Sequence, residues 1–187
     1  MSIFVPNIRR VCQRTRAKLY ILALVLALVA LLLSALWPNP VLEVRAGPEL
    51  RLVKVIPVAS GERITYSYVH SVQKTPVDEI IEVSAGGYLV VRETVYDMYG
   101  AGLPSDFLCG DYSIDAQSGK FRISNMSREM HSLPVRVAFT PGQTLEVRGE
   151  KTPLSSLAPP TTQLVIQVAT MPRAATLMRQ GQEYVNH

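Results

Sequence analysis

Hydrophobic and polar positions along this chain follow two different patterns. Residues 19–37 form an unbroken apolar run with no charged side chain, through Leu31, Leu32 and Leu33 to Leu36 and Trp37. At 1.5 Å per residue, about 20 apolar residues cross the roughly 30 Å hydrocarbon core of a bilayer. Only a helix crosses as a single segment, because each backbone polar group must find its partner inside the segment. Tyr20 and Trp37 stand at the two ends, where amphipathic rings settle at headgroup level. The run predicts one transmembrane helix, a signal anchor, over 19–37. It follows a basic segment over 1–18 and leads into an extracytoplasmic domain over 38–187.

Beyond Trp37 the pattern changes. Pro38-Asn39-Pro40 breaks the helix, since proline cannot continue one and biases its predecessor to extended geometry. Short β-like runs follow, each bounded by turn residues. They fall at 41–45, 50–58, 63–70, 77–84 and 88–96, then 107–114, 120–124, 133–139, 144–148 and 161–169. In the third, Ile64, Tyr66 and Tyr68 alternate with Arg63, Thr65 and Ser67, the period-two mark of a half-buried strand. Gly86-Gly87 makes a hairpin of 77–84 and 88–96. Residues 151–160 read as a loop, and the tail from Met171 as one short helix ending near Gly181, a favoured residue after a helix C-terminus. About nine short strands at close spacing predict a mainly β domain, an antiparallel sandwich or barrel.

Charge adds the orientation. Five of the 19 basic residues precede position 38 and all 15 acidic residues follow it, which leaves 14 basic against 15 acidic in the domain. The overall formal charge of +4 therefore belongs to the anchor, and a nucleic-acid partner is excluded. Arg9, Arg10, Arg14, Arg16 and Lys18 hold the N-terminus inside, which makes this a single-pass protein of the cytoplasmic membrane with its domain outside. A cleaved signal peptide has the same polarity, but the apolar run is longer than the usual apolar core and no small-x-small site closes it. Cys12 and Cys109 fall on opposite sides of the predicted membrane, so no disulfide holds the domain. Cys109 reads as a small buried apolar residue.

Candidate chemistry concentrates in two stretches. Residues 66–79 carry His70, Ser71, Lys74, Asp78 and Glu79 on a strand, a turn and the next strand. If those strands pair, His70 and Ser71 come near a carboxylate, which could orient the ring, pin the hairpin or serve a ligand. Catalysis is disfavoured: the nucleophile elbow G-x-S-x-G is absent. A metal is disfavoured too, because only three histidines exist and no zinc spacing occurs. The second stretch is Gly100-Ala101-Gly102-Leu103-Pro104, whose backbone could bind an anion at Gly100 and Gly102 or simply bend the chain between sheets. It lacks the G-x-G-x-x-G dinucleotide fingerprint.

The run Tyr68-Val69-His70-Ser71-Val72, then Thr75-Pro76-Val77-Asp78-Glu79, then Gly100-Ala101-Gly102-Leu103-Pro104 resembles a bacterial and archaeal family of small exported proteins. The similarity continues through Asn125-Met126-Ser127-Arg128 and residues 133–137, and covers most of 50–150. Members of that uncharacterised family are often encoded beside the fused permease of TAXI-class TRAP transporters. The resemblance implies a context, an extracytoplasmic accessory to a solute transporter, and brings no catalytic residues with it. The leading expectation is a non-enzymatic, membrane-anchored accessory subunit without a cofactor. Its partners are the lipid bilayer, the permease and the solute-binding protein. The alternative is a β module holding a small anionic solute or ion near His70, Lys74 and the Gly100–Gly102 turn.

Overall fold

The computed structural model describes residues 8–97, 110–116 and 118–185, and side chains within 18–179 of that set. It opens with α1 (Ile8–Leu36), so the helix also takes in part of the basic segment ahead of the predicted span. Its apolar part, Lys18–Leu36, is 19 residues long and has no buried residue, which fits one membrane span or a signal sequence.

Twelve strands follow among the described residues. They are β1 (Pro38–Ala46), β2 (Arg51–Pro57), β3 (Arg63–Val69), β4 (Pro76–Val83), β5 (Leu89–Tyr96), β6 (Asp111–Ile114) and β7 (Phe121–Ser124), then β8 (Arg128–Met130), β9 (Leu133–Arg136), β10 (Thr144–Val147), β11 (Glu150–Pro153) and β12 (Gln163–Pro172). The last helix is α2 (Arg173–Val185). The smaller sheet has the order β2-β1-β12-β9, and the larger β11-β10-β3-β4-β5-β7-β6, with β8 also on β5. Every pairing is antiparallel. The expected mainly β architecture holds.

One core lies between the sheets. Leu42, Val44, Leu164 and Ile166 of the smaller sheet join Ile64, Ile81, Val83, Leu89, Val91 and Leu145 of the larger one in a single buried cluster. Val41 and Val55 are also buried but lie outside that cluster, on the other face of the smaller sheet. There α2 packs against β1, β2 and β12 and reaches α1. Pro134 sits on β9, an edge strand, where a missing N–H does no harm.

Two irregularities keep the inward faces in phase. On β5, Ile80 pairs with Glu93 while Ile81 pairs with Val91, so Arg92 is an extra residue. This β-bulge lets Leu89 and Val91 below it, and Thr94 and Tyr96 above it, all be buried. The neighbouring strand breaks at the same level: between β7 and β8, Asn125 has a φ of 56° and Met126 donates its N–H to the Arg92 carbonyl at 3.0 Å.

The structure revises three expectations. Residues 151–160 are not simply a loop, because β11 pairs with β10 and a 3-10 turn covers Leu154–Ser156. The two-residue hairpin turn is Arg148-Gly149, with φ of 53° and 81°, the geometry usually announced by Asn-Gly or Asp-Gly. Arg148 is held by Glu62 at 2.6 Å and by the Pro57 carbonyl. The second revision is α2, which runs on to Val185 rather than ending near Gly181. The third is β1, which begins at Pro38 itself, so the helix-breaking prolines are already in the sheet. Of the expected strand 107–114, residues 107–109 lie outside the described residues, as does Cys109.

Ile81, fully buried near the middle of the larger sheet, tests the shared core. Ile81→Ala should cost about 3 kcal/mol, as large-to-small core changes do, and Val72→Ala, on an exposed turn, under about 0.5 kcal/mol. Chemical unfolding of the two variants in detergent gives the comparison; equal costs would contradict a core shared by both sheets.

Candidate functional site

The densest polar stretch does fold into a hairpin. β3 and β4 pair from Arg63↔Glu82 to Val69↔Pro76, and residues 70–75 form the turn. Its side chains, however, go three ways.

His70 is buried and belongs to the turn itself. Val72 and Gln73 donate their N–H groups to its Nδ1 at 3.3 and 3.2 Å. Its own N–H donates to the Thr75 carbonyl and its carbonyl accepts from Lys74 N–H, both at 2.9 Å. With Nδ1 accepting, the proton of the neutral ring sits on Nε2. The ring therefore does the work of a capping side chain, satisfying backbone donors that the reversal leaves over. The expected His70–carboxylate contact does not form. Register explains this: Asp78 and Glu79 pair with Ser67 and Tyr66, strand positions beyond the turn. Ser71 and Lys74 are exposed, and Lys74 has a φ of 58°, set by the tight return.

The two carboxylates separate because neighbouring strand residues face opposite sides. Asp78 takes the outer face, where Ser67 Oγ donates to it at 2.6 Å. Glu79 takes the inner face with Val77 and Ile81. Gly100 and Gly102, which belong to the connection from β5 to β6, lie outside the described residues.

The inner face around Glu79 is the most unusual chemical environment among the described residues. Tyr66 and Tyr68 stack with ring centroids 5.2 Å apart, and Tyr96 stacks on Phe121 at 5.7 Å. Gln143 donates to the Tyr66 hydroxyl at 3.1 Å and to the Arg136 carbonyl at 3.0 Å, while its own Oε1 accepts from Ala138 N–H at 2.7 Å. Thr94, across from Glu79, is buried and donates to Met126 Sδ at 3.7 Å. Into this wall Glu79 brings a carboxyl that is only 14% exposed, facing Arg128 at 3.6 Å. Burial pushes the Glu79 carboxyl above its ordinary range, and Arg128 pulls it back in part. Burial likewise raises both tyrosines to about 12, Tyr66 despite its bond to Gln143 and Tyr68 despite the pull of Arg128. The hydroxyls stay neutral and able to donate throughout the physiological range. Such a wall brings together tyrosine rings, two phenol hydroxyls, one carboxyl that burial makes harder to ionise and one partly exposed guanidinium.

The opposite face of the same hairpin is plainer. Glu93 bridges Arg63 at 3.2 Å and Arg122, and Arg92 pairs with Glu82 at 3.1 Å. The Arg92 guanidinium holds the Glu82 carboxyl below its ordinary range. Half-exposed pairs of this kind contribute little stability and mark a solvated face.

Sequence reasoning singled out Glu79 but missed Tyr66, Tyr68 and Arg128 as its neighbours, and Gln143 as the partner of Tyr66. The alternation of Tyr66 and Tyr68 with polar residues was the available signal, since residues two apart share a face. Among the described residues, no three His, Cys, Asp or Glu side chains converge to hold a metal ion.

Residues 64–154 match the model of a family described as a domain of unknown function (DUF1850). That stretch runs from β3 to the start of the 3-10 turn after β11, so it contains the hairpin and the Glu79 wall. No curated protein and no solved structure matches the chain.

Two outcomes follow. A raised carboxyl pKa means that the folded chain holds the Glu79 proton more tightly than the unfolded chain. The associated stability is complete below the ordinary value of 4.5 and declines as pH rises toward the raised value. Glu79→Gln should therefore match the natural protein in acid and melt higher than it near neutral pH. A melting difference independent of pH would refute the burial assignment. His70→Ala should cost about 1 kcal/mol through the two N–H groups it leaves without an acceptor, and Ser71→Ala next to nothing, as read from denaturation midpoints.

Proposed function

We propose that the chain is a membrane-anchored accessory subunit of a TRAP-type solute transporter of the TAXI class. In this reading the N-terminus is inside and the β domain lies outside the cytoplasm, where it helps the permease assemble or the solute-binding protein dock. The observation that carries it is the uncovered apolar helix Lys18–Leu36, which passes into β1 with only Trp37 between. A domain joined to its anchor by a single residue is confined to the membrane surface, and confinement raises the effective concentration of any partner held in the same membrane. The near-balanced charge of the domain and the sequence resemblance to proteins encoded beside such permeases favour the same reading.

The Glu79 wall favours a second reading, an extracytoplasmic module for a small ligand or ion. Stacked tyrosines with a few convergent polar groups are the usual furniture of such sites. Here the ligand would meet Glu79 and Arg128 rather than His70 and Lys74.

Mass spectrometry of the protein purified from native membranes in mild detergent decides between them. The accessory reading expects the intact chain together with a large multi-span permease. A chain cut near Trp37 and recovered alone would overturn it. A thermal shift with small carboxylates or divalent cations, lost in Glu79→Gln, would then support the second reading.

A further inference from the structure

The described part of α2 leaves two large apolar side chains exposed, although the helix packs on the domain. At about 100° per residue, Ala174, Leu177 and Met178 fall on the arc opposite Thr176, the residue that is buried against the domain. Leu177 and Met178 are 68% and 70% exposed. Arg173 and Arg179 flank Thr176, on the side nearer the sheet. A surface helix ordinarily turns its apolar stripe to the core and its charges to water. Here, among the described side chains, Thr176 is turned inward with its hydroxyl on the Pro172 carbonyl, and Leu177 and Met178 are left exposed along with Arg173 and Arg179.

The position of α2 explains that exposure. The N–H of Arg173 donates to the carbonyl of Trp37 at 3.2 Å, and Arg173 Nε donates to Asn39 Oδ1 at 3.2 Å. The first turn of α2 is thereby fixed at the residue where α1 ends, and the two helices touch. Ala174 and Ala175, half-buried, are small enough to allow that approach. Trp37 itself is 65% exposed, at the level where aromatic side chains meet headgroups. The exposed apolar side chains of α2 thus continue the uncovered apolar surface of α1.

We propose that α2 is a second membrane contact. It lies in the interface of the bilayer that α1 crosses, with Leu177 and Met178 entering the boundary between headgroups and acyl chains. Arg173 and Arg179 sit at headgroup level, where they meet anionic phosphates. The ligand class is a lipid surface, and the geometry is that of an interfacial amphipathic helix. This rests on α1 spanning the membrane. Contact at two places separated in sequence fixes the tilt of the β domain, which a single flexible anchor does not.

Trp37 is the only tryptophan in the chain, which permits a direct test with the full-length protein in lipid nanodiscs holding one copy each. The discs contain phosphatidylethanolamine and phosphatidylglycerol, with or without bromine high on the acyl chains. Natural Trp37 reports on the anchor. Met178→Trp in a Trp37→Phe background reports on α2, and Val72→Trp in the same background reports on an exposed turn. The expected result is blue-shifted emission, quenched by brominated lipid, for the tryptophans at 37 and 178, and water-like unquenched emission at 72. Leu177→Asp added to the position-178 reporter should reverse its shift and quenching. Quenching at 37 without quenching at 178 overturns the proposal while leaving the anchor intact, and would mean that water, a second copy or another protein meets this face. No quenching at either position overturns the anchor and the proposal together.

Discussion

The pairing of β1 with β12 fixes where the rest of the molecule can be. Nine residue pairs run without interruption from Pro38↔Pro172 to Ala46↔Leu164. The first strand of the domain, which carries the load of the anchor, is thus bonded along its whole length to the last. Because the two are antiparallel, the point where the chain enters the domain is also where it leaves, and the Arg173–Trp37 hydrogen bond adds one more rung. A terminal strand bonded on one side only could peel away under a pull from its anchor. Here β1 is central, with β12 on one side and β2 on the other, and its residues Val41, Leu42 and Val44 are buried.

The second consequence is a division of labour between the sheets. The smaller one is covered on its outer face in part by α2, and its strand β1 follows directly on α1. The larger has eight strands to the smaller one's four. The aromatic wall with Glu79 belongs to this wider sheet. A carboxyl buried against tyrosines costs stability compared with an apolar residue. A carboxyl at that cost, beside a partly exposed arginine, suits a site that a ligand, a proton or a partner uses. The outer face of the same strands, with its arginine–glutamate ladder, carries no such cost and suits solvent.

How much of this could be read from the residues differs by feature. The apolar run, the strand–turn punctuation and the hairpin of β4 and β5 were legible because each rests on local periodicity. The Arg148-Gly149 turn was not, because arginine is held at positive φ by Glu62, far away in sequence. The bulge at Arg92 was hidden for a similar reason: an extra residue shows only when the partner strand is known. At the candidate site the polar density around His70 was a misleading guide. It identified a hairpin correctly, but strand parity then sent Asp78 outward and Glu79 inward, and the histidine ring closed the turn. The actual neighbours of Glu79 come from β3 and β8, with Gln143 behind Tyr66, and only the fold brings them together.

The charge balance takes on a different meaning once α2 is included. Counting by sequence confines the basic residues that can meet lipid to the segment before the span. The fold returns α2, with Arg173 and Arg179, to the end of α1. A helix with basic residues on its flanks and leucine and methionine outward would be an aggregation hazard in water. Beside the exit of a membrane helix, the same surface is matched by a solvent that is apolar below and anionic above. On the proposed membrane contact, the exposure of two large apolar side chains and the brevity of the link after Leu36 have a single cause, a domain resting on the bilayer.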